Sequence, residues 1–593
     1  MELSNVEEWN DMKKLIASLM ALSMLCLAGC GGSPDNPQQN MAAPTEGKPL
    51  TAIEQPAPTD PILEGEMIDI VLNGTGITAG GESGEKTGVY VSNDIVYYED
   101  KDAYESGNPY GEGENWEKHT AEEAAAHLVV NITQPASYRL SGELTLGQIR
   151  IDLGDTAFED PNAVVNLILD GVDITCTVGP AILFQNVYEC DGNWSVDTAQ
   201  PEVDTAAAGA NLILAAGSEN TIYGGHVAKI YKDQKGEKKL WKQDGAIYSY
   251  MSMNVAGTGS LNLYADNEGL DTELHLTING GNLNIYADND GINTNEDGVS
   301  VTTINNGNLH IIAGLGAEGD GIDSNGYLVI NGGTVVASAN PAADAGLDSD
   351  LGSYIHGGLV IALGSAMDWA ESNSDQVTMN LQFAQMQSSG SAVAVQRQDG
   401  TVVFAYDPGT DEVLGEKVRS YSGAIVSTPY FNVGESYQVF IGSKIAGSEN
   451  GGMYDVITVT GREGGIQQAY SGTDVTMSPG GMGGFKPDGQ MPGGMEPPAG
   501  EMPTMPSGME PPEGDMGNRD PGDRGPMPEG EIPSMPEGEM PSLPEGELPP
   551  MPQGGQPGEM GQRPGGMGEG APNSLFYMQD KVNFFSGLSE YTE

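Results

Sequence analysis

The chain has 593 residues, 85 acidic against 24 basic, a formal charge of −61 and only 6% aromatic residues. That length allows two to four domains. Its charge excludes a nucleic-acid binder that works by phosphate neutralisation and disfavours electrostatic capture of acidic polymers or anionic lipid.

In chain order, residues 1–30 read as a lipoprotein signal peptide, with Met12 as the true start. Met12 is followed by Lys13 and Lys14, an apolar run from Leu15 to Leu27, and then Ala28, Gly29 and Cys30. The run is too short to span a bilayer, and its ending resembles a bacterial lipobox that lipidates Cys30. Such a protein is exported and held by its lipid on the outer face of the bacterial cell membrane. Residues 31–61, rich in Pro, Gly, Gln and Thr, read as a flexible linker. Export permits a disulfide between Cys176 and Cys190, and two buried thiols are an equal alternative.

Residues 62–253 carry an all-β pattern, expected to be the N-terminal coils and cap. Runs at Ile68–Leu72, Val89–Val91, Leu128–Ile132, Tyr138–Leu144 and Val165–Leu169 are strand-like. Thr120 and Glu123 form a capping box that opens a short helix before His127. An amphipathic helix there is expected to cover the open end of the strand array. Lys229 to Lys242 reads as an exposed loop.

Residues 254–365 are the regular part. Gly259, Gly281, Gly307, Gly333 and Gly358 each open a short alternating apolar run, in steps of 22, 26, 26 and 25 residues. A second phrase, acidic then Gly-apolar-Asp/Asn, runs Glu268–Asp271, Asp290–Asn293 and Asp320–Asp323. Degenerate copies stand at Asp244–Ile247 and Asp344–Asp348. Self-similarity at this period means stacked units, none able to bury its apolar face alone. Alternation within each unit is strand periodicity, and Gly-Gly and Asn-Gly pairs mark tight corners. Leucine-rich repeats share the period but need a Leu/Asn ladder that is missing. The expected fold is all-β, a right-handed parallel β-helix with one coil per repeat. Leu261, Leu283, Leu309, Val335 and Val360 are expected to form one inward ladder, and Leu270, Ile292, Ile322 and Leu347 another.

Residues 366–477 read as a C-terminal β cap or small β-domain. Residues 478–572, made of Pro, Gly, Met and Glu, bury no core and are expected to be disordered. Residues 573–593 turn apolar again and are expected to return to the body.

The chemical clue is repulsion. Coiling brings carboxylates into register about 4.8 Å apart, and at that spacing they repel unless neutralised. Hard oxygen ligands on rigid turns suit Ca²⁺, with Asp266, Glu268, Asp271, Asp288, Asp290, Asn293, Asp320, Asp323, Asp348 and Asp350 as candidate ligands. The alternative is that these residues are solvated turn formers. Asn293 to Gly298 also matches the opening of an EF-hand loop, but Ile304 stands where the bidentate Glu belongs. For sugar stacking the candidates are Tyr264 and Tyr286, at one repeat position and outward-facing, with edge decoration of a strand as the alternative.

Catalysis finds less support. Calcium-assisted uronate lyases need an Arg or Lys base, yet none lies between Lys242 and Arg397, while seventeen Asp and Glu fall within 251–390. A hydrolase needs only two carboxylates at suitable separation, and pairs such as Asp320 and Asp323 leave that open. His275, His310 and His356 fall at different repeat positions, against a three-His metal site.

Tyr138–Gly142 with Gly147–Ile149, Asp244–Ser249, the Asp-Gly-Ile-Asp coils and Val433–Gly442 together resemble the bacterial carbohydrate-binding domain-containing family of cell-surface β-helix proteins. The resemblance covers roughly residues 62–465. It implies a calcium-bearing right-handed β-helix, pectate-lyase-like in form, that binds plant cell-wall polysaccharide such as cellulose and pectic acid. Only the acidic coil positions carry over, as calcium candidates. Asn293 and Ala345 depart from the acidic pattern and leave the number of ions open. The expectation is therefore a monomeric, lipid-anchored protein that binds polysaccharide without cleaving it. A lyase or hydrolase, and a structural adhesin that contacts proteins, are the alternatives.

Overall fold

The computed structural model describes residues 50–590 apart from 54–60, 62–66, 75, 80–86, 101–110, 232–238, 389–390, 409–419, 443, 460, 464–467 and 476–574. The expected signal peptide, Cys30, most of the linker and the Pro/Met-rich segment lie outside the described residues. By internal contacts the chain divides into residues 1–490 with 574–593, and residues 491–573. All that follows concerns the first unit.

The described fold is nearly all β. Each repeat but the last contributes one strand to each of three stacks, and within a stack neighbouring strands run parallel; the last gives the third stack only the bridge at Leu347. The first stack holds Ala210–Leu214, Met253–Gly257, Leu276–Ile278, Val301–Ile304, Tyr327–Ile330 and Gly352–Ile355. The second holds Glu219–Gly224, Ser260–Ala265, Asn282–Ala287, Asn308–Ile312, Thr334–Ser338 and Leu359–Gly364. Ile182–Asn186, Gly245–Ser249, Glu268–Thr272, Ile292–Thr294 and Ile322–Ser324 make the third. Upstream, Ala136–Leu144 and Val165–Thr175 are long enough to serve the first and second stacks at once. They turn between the two at Gly142 (φ 91°) and Gly171 (φ 80°).

Register converts the repeat into a core. Leu261 pairs with Leu283, then Leu309, Val335 and Val360 in one row, all fully or almost fully buried. Leu270, Ile292, Ile322 and Leu347 make a second buried row. Ile278, Ile304, Ile330 and Ile355 make a third. Burying each such side chain contributes roughly 1.5–3 kcal/mol over leaving it in water. The corner entering the second stack is sharp: Gly281, Gly307, Gly333 and Gly358 all have φ between 80° and 111°, a region closed to most side chains.

The ends depart from the repeat. The helix over Ala121–Ala125 carries the Thr120/Glu123 capping box, with the Thr120 N–H donating to Glu123 Oε2 at 2.7 Å. It spans five residues and buries only Ala124, too little to cover an edge. The third stack continues upstream through Gly147–Asp152 and Leu128–Ile132, and Val89–Ser92 lies antiparallel on Leu128–Ile132 at its end. At the other end Tyr421–Ser427 lies antiparallel on Leu359–Gly364 and joins Thr378–Gln387. The apolar C-terminal segment does return to the body: Val582–Glu590 pairs parallel with Thr378–Gln387, burying Phe585 and Leu588.

One expectation needs correction. The Lys-rich stretch is not a bare loop, because Val227–Tyr231 and Lys239–Gln243 pair as antiparallel strands. Of the two alternatives for the cysteines the structure has free thiols, Cys176 buried and Cys190 half-buried. Burial pushes both up to about 12, so neither is a reactive thiolate.

Candidate functional site

The acidic phrase forms the third stack and the turns that enter it. Gly between the acid and the apolar residue is a steric requirement. A Cβ on Gly321 would run into the Gly346 carbonyl oxygen and come within 3.0 Å of Ala337 Cβ. Stacking then produces two rows. Asp271, Asn293 and Asp323 share one register, which Asp348 continues beside the Ile322–Leu347 bridge. Glu268, Asp290 and Asp320, each two residues before the buried apolar position, form the other.

The rows are deeply placed. Glu268 is 5% exposed, Asp271 0%, Asp290 9% and Asn293 6%. Asp320, Asp323 and Asp348 are half-buried. Some oxygens work as backbone caps: the Asp320 N–H donates to Asp290 Oδ1 at 2.6 Å, and the Ala345 N–H to Asp320 Oδ1 at 2.6 Å. Others have no donor. Glu268 Oε2, Asp271 Oδ2 and Asn293 Oδ1 are buried and lack a hydrogen-bond partner. Burial first, then repulsion from Glu268, raises Asp271 well above the usual carboxylate range. Burial and the neighbouring acids raise Glu268, Asp290 and Asp323 as well. Asp320 is pushed up to about 7 by burial and Asp348.

One residue that matters here was missing from the sequence candidates. Asp244 joins Glu268 and Asp271 so that one ligand-type oxygen from each lies within 4.8 Å of the others. Its signal was visible, since it opens a degenerate copy of the acidic phrase. Lys242 also belongs here: Nζ lies 3.1 Å from Asp244 Oδ2 and donates to Asn295 Oδ1 at 2.8 Å. Burial pulls its ammonium down, but Asp244, Glu268 and Asp271 more than reverse this and hold it charged. With all three carboxylates ionised, one ammonium would leave two negative charges uncompensated. An all-oxygen donor set of that charge suits a hard divalent cation.

The other candidates lie elsewhere. Asp266 turns to His226, whose Nδ1 lies 2.9 Å from Asp266 Oδ1 and whose Nε2 lies 3.2 Å from Glu117 Oε1. Asp288 and Asp350 are exposed. Tyr264 and Tyr286 occupy one register of the second stack and lie face to face, 5.2 Å between centroids at 9°. Tyr223 stacks on the other side of Tyr264 at 4.7 Å and 11°. Both faces of Tyr264 are therefore taken by neighbouring rings.

Comparison with known proteins finds a family match over part of the chain. Residues 127–404 match the model of the family described as carbohydrate-binding domain-containing protein. The solved structure of a polysaccharide lyase-like protein from C. thermocellum, a gadolinium derivative, is 22% identical. The match covers 49% of this chain and 93% of that one, at a TM-score of 0.29, too low to argue from. No curated protein matches.

Proposed function

Residues 127–404 match a carbohydrate-binding family, and on that premise we propose that the chain is an exported, lipid-anchored protein that holds polysaccharide at the bacterial surface without cleaving it. Its scaffold is a right-handed parallel β-helix stiffened by Ca²⁺. The parallel pairing within all three stacks supports the coil. The observation that carries the ion is the orphaned trio Glu268 Oε2, Asp271 Oδ2 and Asn293 Oδ1, buried beside Asp244. Buried polar atoms are normally satisfied, and a cation bound by Asp244, Glu268, Asp271 and Asn293 satisfies these. Asp290, Asp320, Asp323 and Asp348 are the further ligands of this reading. When bound, the ion supplies charge neutralisation, so that strands bearing like charges pack in register.

Binding without cleavage is favoured by how the reactive groups are used. Lys242 is committed to Asp244 and Asn295. Asp290 and Asp320 accept backbone N–H groups of the next coil. The localisation rests on the signal-like segment ending at Cys30. No helix among the described residues is long and apolar enough to cross a membrane.

The test uses purified chain with cellulose and with pectate, with and without calcium. Retention of the protein on polysaccharide with no new reducing ends or unsaturated products is the expected result, and sustained turnover would overturn it. Calcium is expected to raise the melting temperature by several degrees, since an ion at about a hundredfold its Kd stabilises by ~2.7 kcal/mol. A melting temperature indifferent to chelator removes the ion.

A further inference from the structure

We propose that the polysaccharide lies along the outer face of the first stack, beside the segment 201–206, and that it is an uncharged, extended chain. This rests on the polysaccharide-binding reading and assigns it a place and a ligand class.

A groove of about 870 Å³ runs along that face. Its floor is a single register row through seven strands: Asn166, Asn211, Asn254, Thr277, Thr303, Val329 and Tyr354. A second lining row, two positions on, contains Asn279, Asn305 and Asn331 and ends at His356. Its amides are chained, with Asn331 Nδ2 donating to Asn305 Oδ1 and Asn305 Nδ2 to Asn279 Oδ1, both at 2.9 Å. Each link uses one N–H of the donating amide. Asn279, Asn305 and Asn331 are exposed, so the second N–H of each donating amide and a further lone pair on each oxygen are within reach of a ligand. Coils repeat about every 4.8 Å, close to the advance of one pyranose ring in an extended chain. The row thus offers donor and acceptor pairs at the spacing at which such a chain offers hydroxyls.

Two further features fix the class. Tyr354 and His356 form a parallel ring pair, 6.3 Å between centroids at 8°, at the end of the groove. Tyr354 is only half-buried and suits the apolar face of a sugar. Tyr264, by contrast, has both faces covered by other tyrosines. Among the described lining residues there is no Lys or Arg, while Glu202 and Asp204 stand exposed on the segment 201–206. A uronate chain would meet repulsion without a compensating cation. A neutral chain meets no such repulsion, and the amides, hydroxyls and rings of the lining remain available to it. Thr205 anchors the segment, its Oγ1 donating to Asn254 Oδ1 at 2.8 Å and approaching Thr277 Oγ1 at 2.7 Å.

The experiment is calorimetric titration of the full chain in calcium with cellohexaose and with hexagalacturonate. The variants are Asn305→Leu/Asn331→Leu, Tyr354→Ala and, on the second stack, Tyr264→Ala/Tyr286→Ala. The amides are exposed, and unchanged melting of the variants checks the fold. Cellohexaose binding weakened at least tenfold by both groove variants, with the Tyr264/Tyr286 variant equal to wild type, supports the proposal. Cellohexaose binding that survives both groove variants overturns the location and leaves the polysaccharide reading standing. Tighter binding of hexagalacturonate than of cellohexaose, lost in the groove variants, overturns the neutral class. Wild type that binds neither oligosaccharide and is not retained on cellulose or pectate overturns the reading and the groove together.

Discussion

Gly321 shows how a residue that makes no side-chain contact decides the arrangement around it. It is not in the left-handed region, so the constraint on it is space alone: an added methyl meets the Gly346 carbonyl and Ala337. Gly321→Ala is expected to cost roughly 1–3 kcal/mol, as overpacking does, and thermal unfolding measures it. A melting temperature equal to wild type would mean that the strands separate freely there. His226 makes a second case. Burial would pull its imidazolium down, but Asp266 and Glu117, with Asp244 behind them, hold it up to about 10. A histidine raised above its ordinary 6.5 stabilises the fold fully below that value, and the contribution is lost as pH rises through the folded value. The melting temperature is therefore expected to fall between about pH 7 and pH 10, and His226→Gln is expected to flatten that fall. A slope unchanged in the variant would assign the loss to other groups. Asp266 was legible as an acid in the repeat, but not its turn toward His226. Glu117 lies in an irregular insertion that no periodicity reaches, so the pair that claims Asp266 had no sequence signal.

At the scale of elements, legibility followed the period. Leu261, Leu283, Leu309, Val335 and Val360 fall into one buried row because parallel pairing conserves position, and a spacing of 22 to 26 residues states the position outright. The same logic placed Glu268, Asp290 and Asp320 in step, and it overlooked Asp244 only because Ala246 and Ile247 dilute that copy of the phrase. It failed where strands serve two stacks. Val165–Thr175 bends at Gly171 and runs on past the exposed Asp170 and Gly171, whereas the sequence displayed a strand that ends at Leu169. It failed also for the groove, whose floor mixes Asn, Thr, Val and Tyr, residue types that share a register and no chemistry. Core and surface rows are expected to differ sharply in cost. Leu309→Ala in the buried row is expected to cost about 2–5 kcal/mol, and Asn305→Ala on the exposed row within about 0.5 kcal/mol. Denaturant unfolding of the two variants side by side is the check, and equal costs would contradict the assigned faces.

Stacked units raise a problem that no single repeat solves, since each terminal strand offers unpaired N–H and C=O groups to any other chain. At the C-terminal side the answer is long-range. Tyr421–Ser427 reverses direction on Leu359–Gly364, Thr378–Gln387 adds to it, and Val582–Glu590 then covers Thr378–Gln387 from the far end of the sequence. The returning segment is fastened by its own apolar contacts, with Phe576 and Phe585 packed edge to face at 5.0 Å and Phe576–Tyr577 paired to Ser436 and Tyr437. Removing residues 575–593 uncovers the edge of Thr378–Gln387 and leaves Phe383 and Leu381, now buried, without that neighbour. The shortened chain is expected to be cut by protease between 378 and 475 while the stacked strands from 136 to 365 stay protected, because their pairing is internal to the repeat. It is also expected to self-associate on size-exclusion chromatography through the bared edge. Phe585→Ala, which keeps the strand but loses its anchor at a cost of roughly 3–5 kcal/mol, is expected to show the same cleavage more weakly. A protease pattern identical in all three proteins would mean that the edge is covered from elsewhere and that the returning strand is ornament to the fold.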